Sequence, residues 1–242
     1  MTNSVDPSER ITVVVPALNE EVHLAQCIES LENQSYPGDK VQIIVVDNGS
    51  TDRTCEIVEA SSATLLRETR RSAYWARNLA IENSESTWLA FTDADCIVEP
   101  QWLEQLHQRA RETDAWIVGG LTKYKILRDS MGNRLLYETH LPEQLRATIE
   151  KHHCVAGGNM FVKRSAFDSF GLFRVIRSGS DIELSRRLAT NGYPSAFAEN
   201  AIVHHQCDLS NWEYLRRSFR IRYGQRMHSE QPRGIKAATS VL

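Results

Sequence analysis

The sequence predicts an α/β fold built on a mostly parallel, Rossmann-like sheet flanked by helices, and three observations carry that expectation. The first half of the chain alternates short apolar runs with stretches of helical spacing. The runs are apolar throughout rather than alternating, as befits strands covered on both faces. Each run also ends at a polar, turn-forming cluster and is followed by a helix, the order from which parallel sheets are made.

Ile11 to Pro16 is a β-branched run stopped by proline, and Glu20 to Gln34 shows helical spacing through Val22, Ala25, Ile28 and Leu31. A second strand, Val41 to Val46, reaches Asp47; a turn follows, then a helix from about Asp52 to Ser61. A short strand at Thr64 to Leu66 precedes a helix around Tyr74 to Asn83. The next strand, "TWLAFT", opens onto Asp93-Ala94-Asp95, and a helix starts at Pro100, a good first-turn residue. The second half is less regular, with a strand at Ala115 to Gly120 and a polar stretch to about Lys151. No repeat and no Pro, Gly or Ser-rich linker divides the chain, so it reads as one domain.

Composition sets outer bounds. With 242 residues, 41% hydrophobic and 24% charged, the chain has the make-up of a soluble globular protein. Its net charge of −3 gives no general pull toward nucleic acid. Residues 211–242 are the exception, with seven Lys/Arg against two acids. The five cysteines are scattered, odd in number and without a C-x-x-C, which fits neither a disulfide framework nor a zinc site. The first ten residues have no apolar core of a signal peptide, and no run approaches the ~18 residues of a membrane span. The expected location is therefore cytoplasmic.

In open sheets of this kind, ligands bind beyond the C-terminal ends of the strands. Three polar clusters fall there: "PALNEE" after the first strand, "DNGSTD" after the second and "DAD" after the fourth. In extended chain Asp93 and Asp95 project to the same side and repel unless a cation lies between them. A carboxylate pair free of thiol ligands suits a hard cation, Mg²⁺ or Mn²⁺, shared with substrate phosphates. Asp47, at a strand tip, can accept hydrogen bonds from a base or ribose. Both clusters also remain open to a plainer reading, as turn formers and helix caps.

Six segments, "VVVPALNEEVHLAQCIESL", "IIVVDNGSTDRT", "ARNLAIENSESTWLAFTDADC", "VAGGNMFVKRSAF", "SGSDIELSRRLATNGY" and "AIVHH", occur in an order that resembles GT-A fold, family 2 glycosyltransferases. The resemblance spans roughly Arg10 to Gln206 and implies a single GT-A domain over 1–210, with a nucleotide-binding half at about 10–120 and an acceptor half at about 121–210. It implies inverting transfer of a sugar from a UDP- or GDP-sugar, over Mn²⁺ or Mg²⁺, to a carbohydrate, lipid-linked or small-molecule hydroxyl. Pro16, Ala17, Asn19 and Glu20 resemble the first nucleotide loop, Asp47 the base or ribose contact, and Arg77 the basic residue beside the nucleotide. Asp93 would contact ribose and metal, with Ala94 next to it in the donor site, and Asp95 would be the principal metal ligand. His205, which fits slightly better than His204, would be a further ligand. Gly158 and Asn159, within "GGN", would let backbone approach the donor sugar. Asp181 stands where the family places its general base, at a helix start.

Two departures stand out. Ser180 occupies a position where the family usually has an acid, and no Q-x-x-R-W follows the base, which argues for transfer of one or a few sugars over processive synthesis. Three other readings compete, and a phosphatase of the D-x-D-x-T type would place its nucleophile after the first strand, whereas this pair lies after about the fourth. A nucleotidyltransferase wants a Gly-rich loop after the first strand, and "PALNEE" has none; a non-catalytic nucleotide-sugar-binding scaffold would not need both Asp95 and Asp181. The extension at 211–242 reads as a basic amphipathic helix, with Arg216, Arg217, Arg220, Arg222 and Arg226 beside Leu215, Phe219, Ile221 and Tyr223. Residues 211–228 could thereby touch an anionic membrane surface at its inner face, or simply form a solvated face.

Overall fold

A computed structural model of the chain describes residues 9–127, 129–131, 134 and 141–207, and 210–212, 214–216 and 218–219 near the C-terminus. The strands are β1 (Ile11–Ala17), β2 (Val41–Asp47), β3 (Thr64–Arg67), β4 (Trp88–Thr92), β5 (Cys96–Val98), β6 (Ile117–Ile126), β7 (Asn159–Lys163) and β8 (Ser195–Cys207). The helices are α1 (Leu24–Glu32), α2 (Thr54–Glu59), α3 (Ala73–Glu82), α4 (Trp102–Thr113), α5 (Pro142–Glu150), α6 (Arg164–Phe170) and α7 (Ser180–Thr190).

The strands form one sheet in the order β3-β2-β1-β4-β7-β6-β8-β5. β1, β2, β3 and β4 run parallel, as the apolar runs predict. Antiparallel β7 is inserted between β4 and β6, and β6 and β8 resume the parallel direction. β1 lies between β2 and β4, so successive crossovers leave it on opposite sides and open a crevice above its C-terminal end.

Burial explains why the runs are continuously apolar. Ile11, Val13, Val15 and Ala17 point to one face, against Leu24, Ile28 and Leu31 of α1 and into a cluster shared with Trp102 and Leu106 of α4. Val14 points to the other, packing with Ala76, Ala80 and Ile81 of α3 and with Leu184 and Leu188 of α7. Each Val, Ile or Leu here contributes about 1.5–3 kcal/mol by leaving water, and the buried Thr12 of the same strand is satisfied by the Ser84 and Ser86 hydroxyls (2.7 Å each).

Three boundaries differ from expectation. α1 begins at Leu24 rather than Glu20, because Glu20 to His23 form a turn whose Glu20 carbonyl accepts from the N–H groups of His23 and Leu24. "CIV" is a short strand, β5, which pairs antiparallel with β8 and delays the helix from Pro100 to Trp102. β6 continues six residues past Gly120, because β8 runs beside it through a bulge at Gly120/Leu121. The basic C-terminal helix lies for the most part outside the described residues; 211–212, 214–216 and 218–219 are helical. Among the described residues no helix is long and apolar enough to cross a membrane.

Candidate active site

The loops after β1 and β2 are tied together at the crevice. Asn19, held at a positive φ of 56°, donates its N–H to Ser50 Oγ (2.9 Å) and accepts the Thr51 N–H at Oδ1 (2.8 Å). Glu20 N–H reaches Thr54 Oγ1 (2.8 Å) and Glu21 N–H reaches Asp52 Oδ2 (3.1 Å). Asn48 N–H donates to Ala17 O (2.8 Å). Asp47 is 5% exposed, and its carboxylate closes the turn by accepting the N–H groups of Gly49 (3.2 Å) and Ser50 (3.0 Å). The turn-forming role is therefore filled.

Asn48 is the residue that sequence reasoning undervalued. Its amide donates to Glu68 O and Arg70 O (2.9 Å each) and accepts the Ser72 N–H (2.8 Å), so it fixes the segment between β3 and α3. Ser72 in turn caps α3 by accepting the Tyr74 N–H. That cap orients α3 and with it Arg77.

Asp93 and Asp95 do not continue β4 as extended chain. They lie in a turn closed by Cys96 N–H to Asp93 O (3.1 Å), which corrects the expectation that i and i+2 project together along a strand. The two acids take different partners. Asp93 Oδ1 meets Arg77 Nη2 at 2.7 Å, with Arg77 only 5% exposed. Asp95 Oδ2 faces His205 Nε2 at 3.6 Å. The pairing of β5 with β8 sets Cys96 directly opposite His205, and the Cys96 thiol reaches Asp95 Oδ1 at 3.7 Å. Asp95, Cys96 and His205 thus offer three donor atoms within 4.8 Å of one another. A thiol is next to the acids after all, contrary to the expectation of a carboxylate pair without one.

The electrostatics around this turn are unbalanced. Burial, and then the charges of Asp95, Asp93 and Asp52, push the Glu20 carboxyl up to about 7. Arg77 compensates Asp93, but the group as a whole is rich in negative charge. Burial holds the Cys96 thiol well above its usual range and so keeps it protonated, and the remaining carboxylates beside an imidazole fit a divalent cation such as Mn²⁺ or Mg²⁺.

Asp181 opens α7, behind Gly179 at a φ of 87°. Its Oδ2 accepts the Gly157 N–H (2.8 Å), and its Oδ1 accepts the Tyr74 hydroxyl (3.2 Å) and the Ile182 N–H (3.0 Å). The Gly157 carbonyl accepts from Arg77 Nη2 (3.3 Å), so one glycine links Asp181 to the Arg77–Asp93 pair. Ser180 is buried and donates to the Arg174 carbonyl. The residue that departs from the family pattern therefore pins the helix start and offers no charge to a ligand.

Several expected residues are placed otherwise. Asn159 is 2% exposed: its Oδ1 accepts Trp102 Nε1–H (2.9 Å) and its Nδ2 donates to Leu121 O and Ala201 O (3.1 Å each). With the amide fully used inside the fold, Asn159 is not brought to the crevice. A Cβ on Gly158 would lie 2.8 Å from Asp93 Oδ2, and one on Gly157 would lie 2.9 Å from the Arg77 guanidinium. The glycines are there so that backbone can approach this ion pair. Ala94 packs its methyl in the core with Cys27 and Cys96. Pro16 sits within β1 opposite Val46, and Ala17 is buried. His204 is turned to Glu99 (2.7 Å), which leaves His205 as the histidine beside Asp95.

The comparisons with known proteins agree with this architecture. The family model described as Glycosyl transferase family 2 matches residues 12–171. Glycosyltransferase AglE of Haloferax volcanii is 30% identical over 222 residues, covering 89% of this chain and 72% of that protein. The mannosyltransferase PcManGT from Pyrobaculum calidifontis, solved in complex with GDP-Man and Mn²⁺, superposes with a TM-score of 0.71 at 20% identity, over 94% of this chain and 67% of that one. TarS of S. aureus, residues 1–349, in complex with UDP-GlcNAc, gives a TM-score of 0.65 at 18% identity, over 84% of this chain and 60% of that one.

Proposed function

The chain belongs to glycosyl transferase family 2 and is a glycosyltransferase, and on that premise we propose that it inverts the donor sugar, requires a divalent metal and uses Asp181 as general base. The donor is a UDP- or GDP-sugar, the classes named for the complexes of TarS and PcManGT. One arrangement carries the assignment: Asp181, at the start of α7, is joined through the Gly157 backbone to Arg77 and Asp93, at the C-terminal end of β4. A base and an acidic donor site are thereby held side by side.

In this reading the acceptor hydroxyl oxygen bonds to the anomeric carbon while its proton passes to the Asp181 carboxylate. The bond from that carbon to the diphosphate oxygen breaks, and its electron pair leaves with the nucleotide. Asp181 removes the proton where the new bond forms, and Arg77 fixes Asp93 in the wall of the donor site. Asp95 and His205 would hold Mn²⁺ or Mg²⁺, with Asp93 next to them. Such an ion, when bound, neutralises charge on the departing diphosphate. Asn19, Glu20 and Asp47 form the nucleotide side, at and beyond the end of the strand that carries Pro16 and Ala17. The acceptor is a carbohydrate, lipid-linked or small-molecule hydroxyl.

Nucleotide release from GDP-mannose and from UDP-GlcNAc, with Mn²⁺ and with EDTA, tests the assignment. Asp181→Asn should lower kcat by ~10²–10⁴ without loss of folding. EDTA should stop release, and NMR of the product should show the opposite anomeric configuration to the donor. Equal turnover by wild type and Asp181→Asn would remove Asp181 as the base.

A further inference from the structure

Tyr74 and Arg77 stand three residues apart on α3, on one face of the helix, and both reach into the site. Arg77 holds Asp93 and the Gly157 carbonyl; the Gly157 N–H holds Asp181; Asp181 holds the Tyr74 hydroxyl, which returns to α3. These links form a closed ring. Tyr74 is itself fixed, because its hydroxyl oxygen accepts the Gly179 N–H (3.0 Å) and its ring packs near Phe173, centroids 6.1 Å apart.

A carboxylate offers about four lone-pair positions, two on each oxygen. On Asp181, Oδ1 receives two donors, from Tyr74 and from Ile182, whereas Oδ2 receives one, from Gly157. We propose that Tyr74 is the positioning residue of Asp181: by filling Oδ1 it leaves Oδ2 as the oxygen that takes the acceptor proton, on the side tied to the Arg77–Asp93 pair. This rests on Asp181 being the base. The step balances simply, with the acceptor O–H broken, its proton on Oδ2 and its oxygen bonded to the anomeric carbon as the nucleotide departs.

The expected signature differs from that of a merely structural tyrosine. In ¹³C-aspartate-labelled protein, the carboxyl resonance missing from Asp181→Asn identifies residue 181. In Tyr74→Phe that resonance should move at a fixed neutral pH, because one of the two hydrogen bonds to Oδ1 is gone. With whichever of GDP-mannose and UDP-GlcNAc the wild type turns over, Tyr74→Phe should cut kcat about tenfold while the donor KM changes less than twofold. In the Asp181→Asn background the same substitution should cost nothing further. An unmoved resonance, or losses that multiply in the double variant, would overturn the proposal. If Asp181→Asn is inactive and Tyr74→Phe behaves as wild type, positioning alone fails; if Asp181→Asn is fully active, the base assignment fails first.

Discussion

Replacing Asn159 by alanine separates two readings of the "GGN" segment. In the structure its amide satisfies three buried groups: Trp102 Nε1–H, Leu121 C=O and Ala201 C=O. Alanine removes all three bonds, at roughly 1–3 kcal/mol for each buried group left unpaired. Neighbouring Gly120 approaches the same amide so closely that a Cβ there would lie 2.4 Å from Asn159 Oδ1, so little slack remains for repair. With partial relaxation the loss is about 3–5 kcal/mol, and for a chain of this size the melting midpoint should fall by about 10 °C. Asn159→Asp keeps the acceptor for Trp102 but sets a carboxylate against two carbonyls, and it should be at least as damaging. Thermal unfolding in metal-free buffer, followed by titration with GDP and UDP in Mn²⁺, is the assay. A midpoint within 2 °C of wild type together with a tenfold weaker nucleotide affinity would refute the structural role and make Asn159 a donor contact.

Glu20→Gln should stabilise the metal-free protein above pH 7 and leave it unchanged well below pH 4.5. The folded carboxyl is raised to about 7 from 4.5, so the protonated form is favoured by folding; that stability is complete below 4.5 and is lost as pH rises through 7. The gain at pH 8, on the order of 2 kcal/mol once the shift is discounted for solvent screening of a half-buried group, can be read from urea unfolding in EDTA, and a gain confined to acid pH would contradict it. Gly158→Ala should lower activity at least tenfold, because its Cβ would press on Asp93 Oδ2 at 2.8 Å and displace the Arg77 pair. The donor KM of that variant should rise with Mn²⁺ saturating, and unaltered kinetics would show that the ion pair yields without cost.

The parallel half of the sheet was legible because β1, β2 and β4 are buried on both faces, and such burial writes itself as an unbroken apolar run; β3, a half-buried edge strand, shows only as a short one. The acids at the strand ends were legible for the same reason, since they interrupt those runs abruptly. β5 escaped notice because three residues, Cys96 to Val98, carry no period of their own; their strand state is conferred by β8, more than a hundred residues away. Antiparallel β7 between β4 and β6 is likewise a long-range choice that no local spacing records. Asn159 misled because an Asn after two glycines reads as a turn near a ligand, whereas its burial depends on Trp102 and Ala201. Tyr74 entered the sequence reading only as the start of a helix. Its spacing from Arg77 was visible, but nothing in the local sequence indicates that Asp181 lies within reach.

The bonds that join Asn19, Glu20 and Glu21 to Ser50, Asp52 and Thr54 bear on redesign. Two segments some thirty positions apart behave as one interlocked cassette. Transplanting only the first from a relative with another nucleotide preference would sever the latch, whereas exchanging the pair together would carry its fastenings along. Chimeras built at this crevice should therefore be cut outside both segments.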